Sequence, residues 1–112
     1  MELTNQAARF SSKIDILTAA QYLEKAIHAK SKDKVIYYLL KARTQLTYAQ
    51  THLEDISNDS LAGSTAELIK ELDTLSRDVE KVKNGKTGLH KFQERDLEPF
   101  QGLLGALYLE LN

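Results

Sequence analysis

Apolar residues recur along most of this chain in alternating steps of four and three. Val35, Leu39, Ala42, Leu46, Ala49, Leu53 and Ile56 make one run. Leu68, Leu72, Leu75, Val79 and Val82 make a second, and Leu97, Phe100, Leu104, Leu107 and Leu111 a third. Such steps keep every member on one side of an α-helix, so each segment carries a stripe that another helix or a partner must cover. A broader N-terminal stripe consists of Phe10, Ile14, Leu17, Ala20, Leu23 and Ile27, preceded by Leu3 and Ala7. No segment alternates with the period of two that a half-buried strand requires.

Local signals place the ends of these helices. Ser12-Lys13-Ile14-Asp15 and Ser64-Thr65-Ala66-Glu67 have the form of capping boxes, and Ser31 and Asp96 are further N-cap candidates. Ser57 to Ser60 is rich in turn formers, and Asn84-Gly85 reads as a left-handed stop. Residues 86–95 read as a polar loop with Leu89 and Phe92 tacked onto the core. Pro99 then falls in a first helical turn, where its missing N–H costs nothing. The expectation is an all-α fold with helices at about 12–30, 32–57, 64–83 and 96–111. Short connections between long helices favour antiparallel neighbours, hence an up-down-up-down four-helix bundle in one domain over residues 1–112. The alternative is a three-helix core completed by a second copy.

Composition narrows the function classes. Hydrophobic residues at 42% and charged residues at 28% suit an ordinary globular chain. With no cysteine, disulfides, thiolate metal sites and thiol nucleophiles are excluded together. MELTNQAARFSSK lacks the basic and apolar regions of a secretory leader. The longest strongly apolar stretch, 102–109, is far shorter than the roughly 20 residues of a membrane span. A cytoplasmic location is therefore expected.

Chemical motifs are sparse. Gly85-Lys86-Thr87 matches the end of a phosphate-binding loop, but Glu80 stands where that pattern needs Gly, and a helix rather than a strand precedes it. His28, His52 and His90 lie near Glu24, Asp55 and Glu94 at helical spacing, without the Glu-x-x-His arrangement of bundle metal centres. No metal, cofactor or catalytic residue is assigned, and the chain is expected not to be an enzyme. Leu3, Ala7, Phe10, Asp15, Ala19, Leu23 and Ala26 fall at the intervals of one tetratricopeptide repeat, a family whose helix pairs cradle peptides. The next repeat is interrupted by Lys41 and Leu53, and such arrays need three or more units. No family is assigned.

Two features exceed what a bundle needs. The last helix adds Leu103, Ala106, Tyr108 and Leu109 around its ladder, with Gly102 and Ala106 leaving a shallow strip between them. That face is a candidate docking surface for a protein partner or a second copy, and Tyr22, Tyr37, Leu40 and Tyr48 also lie off the ladders. Charge is the second feature. Residues 25–43 hold six Lys/Arg and one acid, a net of +5, and residues 54–80 hold eight acids and two bases, a net of −6. Lys32 and Lys34 sit at the positive end of their own helix dipole, where cations are disfavoured. In an up-down bundle, Lys30, Ser31, Lys32, Lys34, Lys86 and Lys91 gather at one pole with His28 and His90. Glu54, Asp55, Asp59 and Glu110 gather at the other. The function expected first is a small non-enzymatic helical interaction module: an adaptor, regulator or inhibitor that engages a macromolecule through helix faces. The alternative is an anion-binding module whose basic pole meets nucleic acid, a phosphorylated group or an acidic partner.

Overall fold

The three strong ladders are the core of the computed structural model, which describes residues 2–83 and 85–111. Helix α1 spans Glu2–His28, α2 Lys32–Asp55 and α3 Asp59–Glu80. The fourth rod is continuous: α4 (Lys86–Phe92) passes through a π-helical turn (Gln93–Leu97) into α5 (Glu98–Glu110). Val35, Leu39, Ala42, Leu46, Ala49 and Leu53 of α2 are fully buried. They meet Leu68, Leu72, Leu75 and Val79 of α3, and Leu97, Phe100, Leu104, Leu107 and Leu111 of the last rod, in one core cluster.

Cross-helix bonds establish the antiparallel order. Arg9 Nε donates to the Leu111 carbonyl at 3.1 Å, tying the start of α1 to the end of α5. His52 pairs with Asp15 at 2.9 Å, and Arg43 Nε donates to Asp73 at 2.6 Å. Lys32 Nζ donates to the carbonyls of Glu80 and Val82, joining the start of α2 to the end of α3. α2 packs on α1 and α3, and α5 packs on α1 and α3, which closes a four-helix bundle. It is long and thin, 53 × 19 × 18 Å between Cα extremes.

Of the three serines expected to cap helices, Ser12 and Ser64 lie inside them. α1 begins at Glu2, and Ser12 lies fully buried within it, its hydroxyl donating to the Ala8 carbonyl at 2.9 Å. α3 begins at Asp59; Asn58 is the cap, accepting from Leu61 N–H, while Ser64 bonds back to Ser60. A hydroxyl inside a helix satisfies itself on the preceding turn, so the box pattern arises without a helix end. Ser31 does cap α2, accepting from Lys34 N–H at 3.3 Å.

Residues 86–95 are helical rather than a loop, and Leu89 and Phe92 are buried as expected. Gly85, at φ +128°, opens this rod, a conformation that side chains disfavour. Asp96 is no cap; it lies in the π turn and pairs with Arg95 at 2.7 Å. Pro99 falls in the first turn of α5, as expected, but with helical chain ahead of it its ring crowds the carbonyl four residues back and no N–H is present. The π turn just before it answers both problems, with Glu98 N–H bonding to Gln93 carbonyl, five residues back.

α1 departs most from expectation. Its inward residues are Ser12, Ile16, Ala19, Leu23, Ala26 and Ile27, while Phe10, Ile14 and Leu17 of the expected ladder face outward. Asp15 opposite His52 sets the register, which brings Ala19 and Ala26 to the level of Ala42 and Ala49 on α2. Small residues at that seam let the two backbones approach closely, leaving no room for the larger ladder between them.

Candidate functional site

The outward turn of α1 leaves a line of large apolar side chains exposed. Phe10 is 65% exposed, Ile14 46% and Leu17 43%. At intervals of four and three they stand in one line, opposite the buried Ser12, Ala19 and Leu23. α5 lies beside that line. Lys13 Nζ sits 5.8 Å from the centre of the Tyr108 ring, and Gln101 Nε2 donates to Glu24 at 2.7 Å. These contacts fix the level of α5 against α1. Phe10, Arg9, Lys13, Gln6 and Leu111 line a shallow depression of about 360 Å³.

The expected α5 face divides in two. Leu103, Ala106 and Leu109 are exposed, Leu109 at 68%. Tyr108 is half-buried, packed on the core with Lys13 over its ring. Nothing lies within 4 Å of a side-chain carbon built on Gly102 or Gly105, so the outer surface of α5 is open. Tyr37, Leu40 and Tyr48 are exposed on the outer side of α2. Reading the sequence missed Phe10, Ile14 and Leu17 as surface residues. The available signal was a second ladder of small residues, Ser12, Ala19 and Ala26, on the opposite side of the same helix.

The basic pole assembles, but its groups are partly engaged. The α1–α2 connection and the start of α4 meet at one end, where Lys30, Ser31, Lys32 and Lys86 border a cleft of about 610 Å³. Asp33 and Glu80 border it too. Lys32 turns its ammonium to the last carbonyls of α3, where the helix dipole favours a cation. This explains why a lysine stands at the disfavoured end of its own helix. Lys34 and Lys91 are exposed. His28 pairs with Glu24 and His90 with Glu94, at 2.9 and 2.8 Å.

Gln93, also missed in the sequence, organises this end. Its buried amide donates to the Ala26 carbonyl at 2.9 Å and the Ala29 carbonyl at 2.8 Å, capping the C-terminus of α1. Two carboxyls respond to their surroundings. Burial raises the Asp15 pKa above the ordinary carboxylate value, against the opposing hydrogen bond and charge of His52. The Gln101 amide, then His28, lowers that of Glu24.

No protein-family model, curated protein or solved structure matches this chain.

Among the described residues, no group of three His, Asp or Glu is placed to hold a metal ion. Nor is any described helix long and apolar enough to cross a membrane.

Proposed function

We propose that this chain is a small non-enzymatic helical interaction module that engages a macromolecular partner through the outer faces of α1 and α5. The observation that supports it most is the placement of Phe10, Ile14 and Leu17 in water while smaller residues of the same helix fill the core. Contiguous exposed apolar surface is costly in a monomer and is characteristic of an interaction site. Leu103, Ala106 and Leu109 add exposed apolar surface on the outer side of α5, and Tyr108, half-buried beside Lys13 of α1, offers an aromatic of the kind enriched at binding hot spots.

A photo-crosslinking amino acid at Phe10 or Leu109 tests this reading, with Lys70 on the exposed side of α3 as control. The expected result is a discrete macromolecular adduct from Phe10 and Leu109 and none from Lys70. Purified partner should then lose affinity for Leu109→Glu. Equal adducts from all positions, or none from any, would refute it.

The anion-binding reading draws on the convergence of Lys30, Ser31, Lys32 and Lys86 around one cleft. It is the weaker of the two, because Lys32 is committed to the α3 carbonyls and two carboxylates share the cleft.

A further inference from the structure

We infer that the surface shared by the second half of α1 and the outer side of α2 binds single-stranded nucleic acid, its tyrosine rings stacking on bases and its lysines meeting phosphates. Its occupant does not depend on what meets the outer faces of α1 and α5.

Four of the five tyrosines of the chain, Tyr22, Tyr37, Tyr38 and Tyr48, lie on these two helices. Lys25 of α1 holds its ammonium 5.6 Å from the centre of the Tyr22 ring and 5.9 Å from that of Tyr38 on α2. One lysine thus joins rings of both helices on one side of the bundle. Lys41 lies 5.4 Å from the centre of the Tyr37 ring, and Tyr37 meets Tyr38 edge to face at 5.3 Å. Two cations and three rings therefore form one connected cluster. Lys34 stands about two turns from Lys41 on the same side of α2, and Tyr48 about three turns from Tyr37. Lys25, Lys34 and Lys41 are exposed, and Tyr37 and Tyr48 are 53% and 52% exposed.

Charge argues for a polyanion. α2 carries no carboxylate from Lys34 to Leu53. The acids of α1 nearest this surface are engaged, Asp15 with His52 and Glu24 with His28 and Gln101. Asp33 borders the cleft toward Glu80 at the end of α3. α3 itself carries six acids and two bases. The net charge of −1 thus conceals charge sorted between helices, a field that steers a polyanion to the α1–α2 side.

The rings argue for which polyanion. An acidic peptide would meet the lysines and leave the rings idle, and a duplex keeps its base faces stacked away from them. Unpaired bases stack on exposed aromatic rings with little regard to sequence. A lysine over an exposed ring is weakly held, so its ammonium can pass to a phosphate as a base takes the ring. An anionic bilayer calls for a broad apolar face, whereas Thr44 and Gln45 stand between Tyr37 and Tyr48. Lys34 to Tyr48 spans about 21 Å of helix, room for on the order of four nucleotides.

Fluorescence anisotropy with a labelled oligothymidylate of about 12 nucleotides tests this. At about 50 mM salt, wild type should bind with a dissociation constant below about 100 µM. Log affinity should fall against log salt with a slope of about −2, from three lysines at about −0.7 each. Tyr37→Leu should weaken binding about fivefold or more, whereas Tyr37→Phe keeps the ring and should bind as wild type does. Lys41→Gln should reduce the slope to about −1.4. Lys13→Gln removes the lysine–tyrosine pair at α5 instead and should change nothing. Photo-crosslinking of a bromouridine-substituted strand to the unsubstituted protein gives a readout independent of how the variants fold. Adducts should fall on Tyr22, Tyr37, Tyr38 or Tyr48. Lack of binding by wild type overturns the inference, as do adducts confined to α3, α4 and α5. Equal affinity for polyglutamate or for a duplex reduces the surface to bare charge and overturns it too. So does equal binding by the Tyr37→Leu and Tyr37→Phe proteins, or binding to phosphatidylserine vesicles without binding to the strand.

Discussion

Replacing Gln93 with Met keeps the length and volume of the side chain and deletes its amide. That amide is buried and donates to two carbonyls at the end of α1, those of Ala26 and Ala29. Ala26 also accepts from Ala29 N–H at 3.3 Å, so it keeps a partner, and the greater loss falls on Ala29. A buried acceptor stripped of its donor costs about 1–3 kcal/mol. With one carbonyl stranded and one weakened, Gln93→Met should destabilise by about 2 kcal/mol, near 8 °C in melting temperature for a domain of this size. Gln93→Glu preserves shape and aims a carboxylate at the same two oxygens, so at neutral pH its loss should be greater.

The glutamate variant also supplies a sign. Its folded-state pKa must lie above the ordinary value of about 4.3, because only the protonated acid can donate to a carbonyl. A raised folded pKa gives stability that is present below the unfolded value and lost as pH rises through the folded one. The gap between Gln93→Glu and wild type should therefore narrow at about pH 4 and widen at pH 7. Urea unfolding followed by circular dichroism, with the slope checked for constancy, measures both variants. A loss under about 0.5 kcal/mol for Gln93→Met would refute the capping role. A glutamate variant whose deficit ignores pH would refute the geometry behind it.

The remaining expectations concern the core and one carboxyl. Leu46, Leu72 and Leu104 are each fully buried, so Leu→Ala at any of them should cost about 2–5 kcal/mol. Phe10→Ala and Leu17→Ala should change the stability of the isolated monomer by less than about 1 kcal/mol; the reverse ranking would refute the orientation of α1. Burial raises the folded pKa of Asp15 above 3.8, so its contribution favours folding at low pH and fades as pH climbs through the raised value. Asp15→Asn should therefore lose less stability than wild type between about pH 3 and 6, and parallel urea midpoints for the two proteins would contradict this.

Most of the bundle was legible in the sequence because α2, α3 and α5 each hold a single dominant ladder. The ladder residues are buried apart from the half-buried Ile56 and Val82, and α3 also buries Leu61, Ala62, Thr65 and Ile69 outside its ladder. The errors share a cause: each pattern had two physical readings. Serine followed three residues later by an acid marks a helix start, but Ser12 and Ser64 show the same serine bonding backward inside a helix. Pro99 does stand in the first turn of α5, but a π turn joins that turn to a longer run. Reading 86–95 as loop also hid Gln93, which stands at a ladder position between Leu89 and Leu97 and is polar because it caps α1. Lys32 looked like a misplaced charge because the benefiting helix, α3, lies far away in sequence. Tertiary partners settle each of these cases.

α1 carries the argument about function further than the other helices. A half-turn rotation about its own axis would bury the exposed halves of Phe10, Ile14 and Leu17, gaining roughly 1–2 kcal/mol for each from transfer alone. It would also expose Ile16 and Leu23, now fully buried, and break the Asp15–His52 and Arg9–Leu111 bonds. The small residues that let α1 approach α2 would be lost from the seam as well. The register of α1 is thus fixed by its inner face and its capped C-terminus, and a rigid helix must carry its outer residues wherever that register sends them. The bundle would be equally satisfied with Lys, Glu or Gln at positions 10, 14 and 17, which would be better solvated and no worse as helix formers. Packing within the bundle therefore gives no reason for large apolar side chains at these three outer positions of α1.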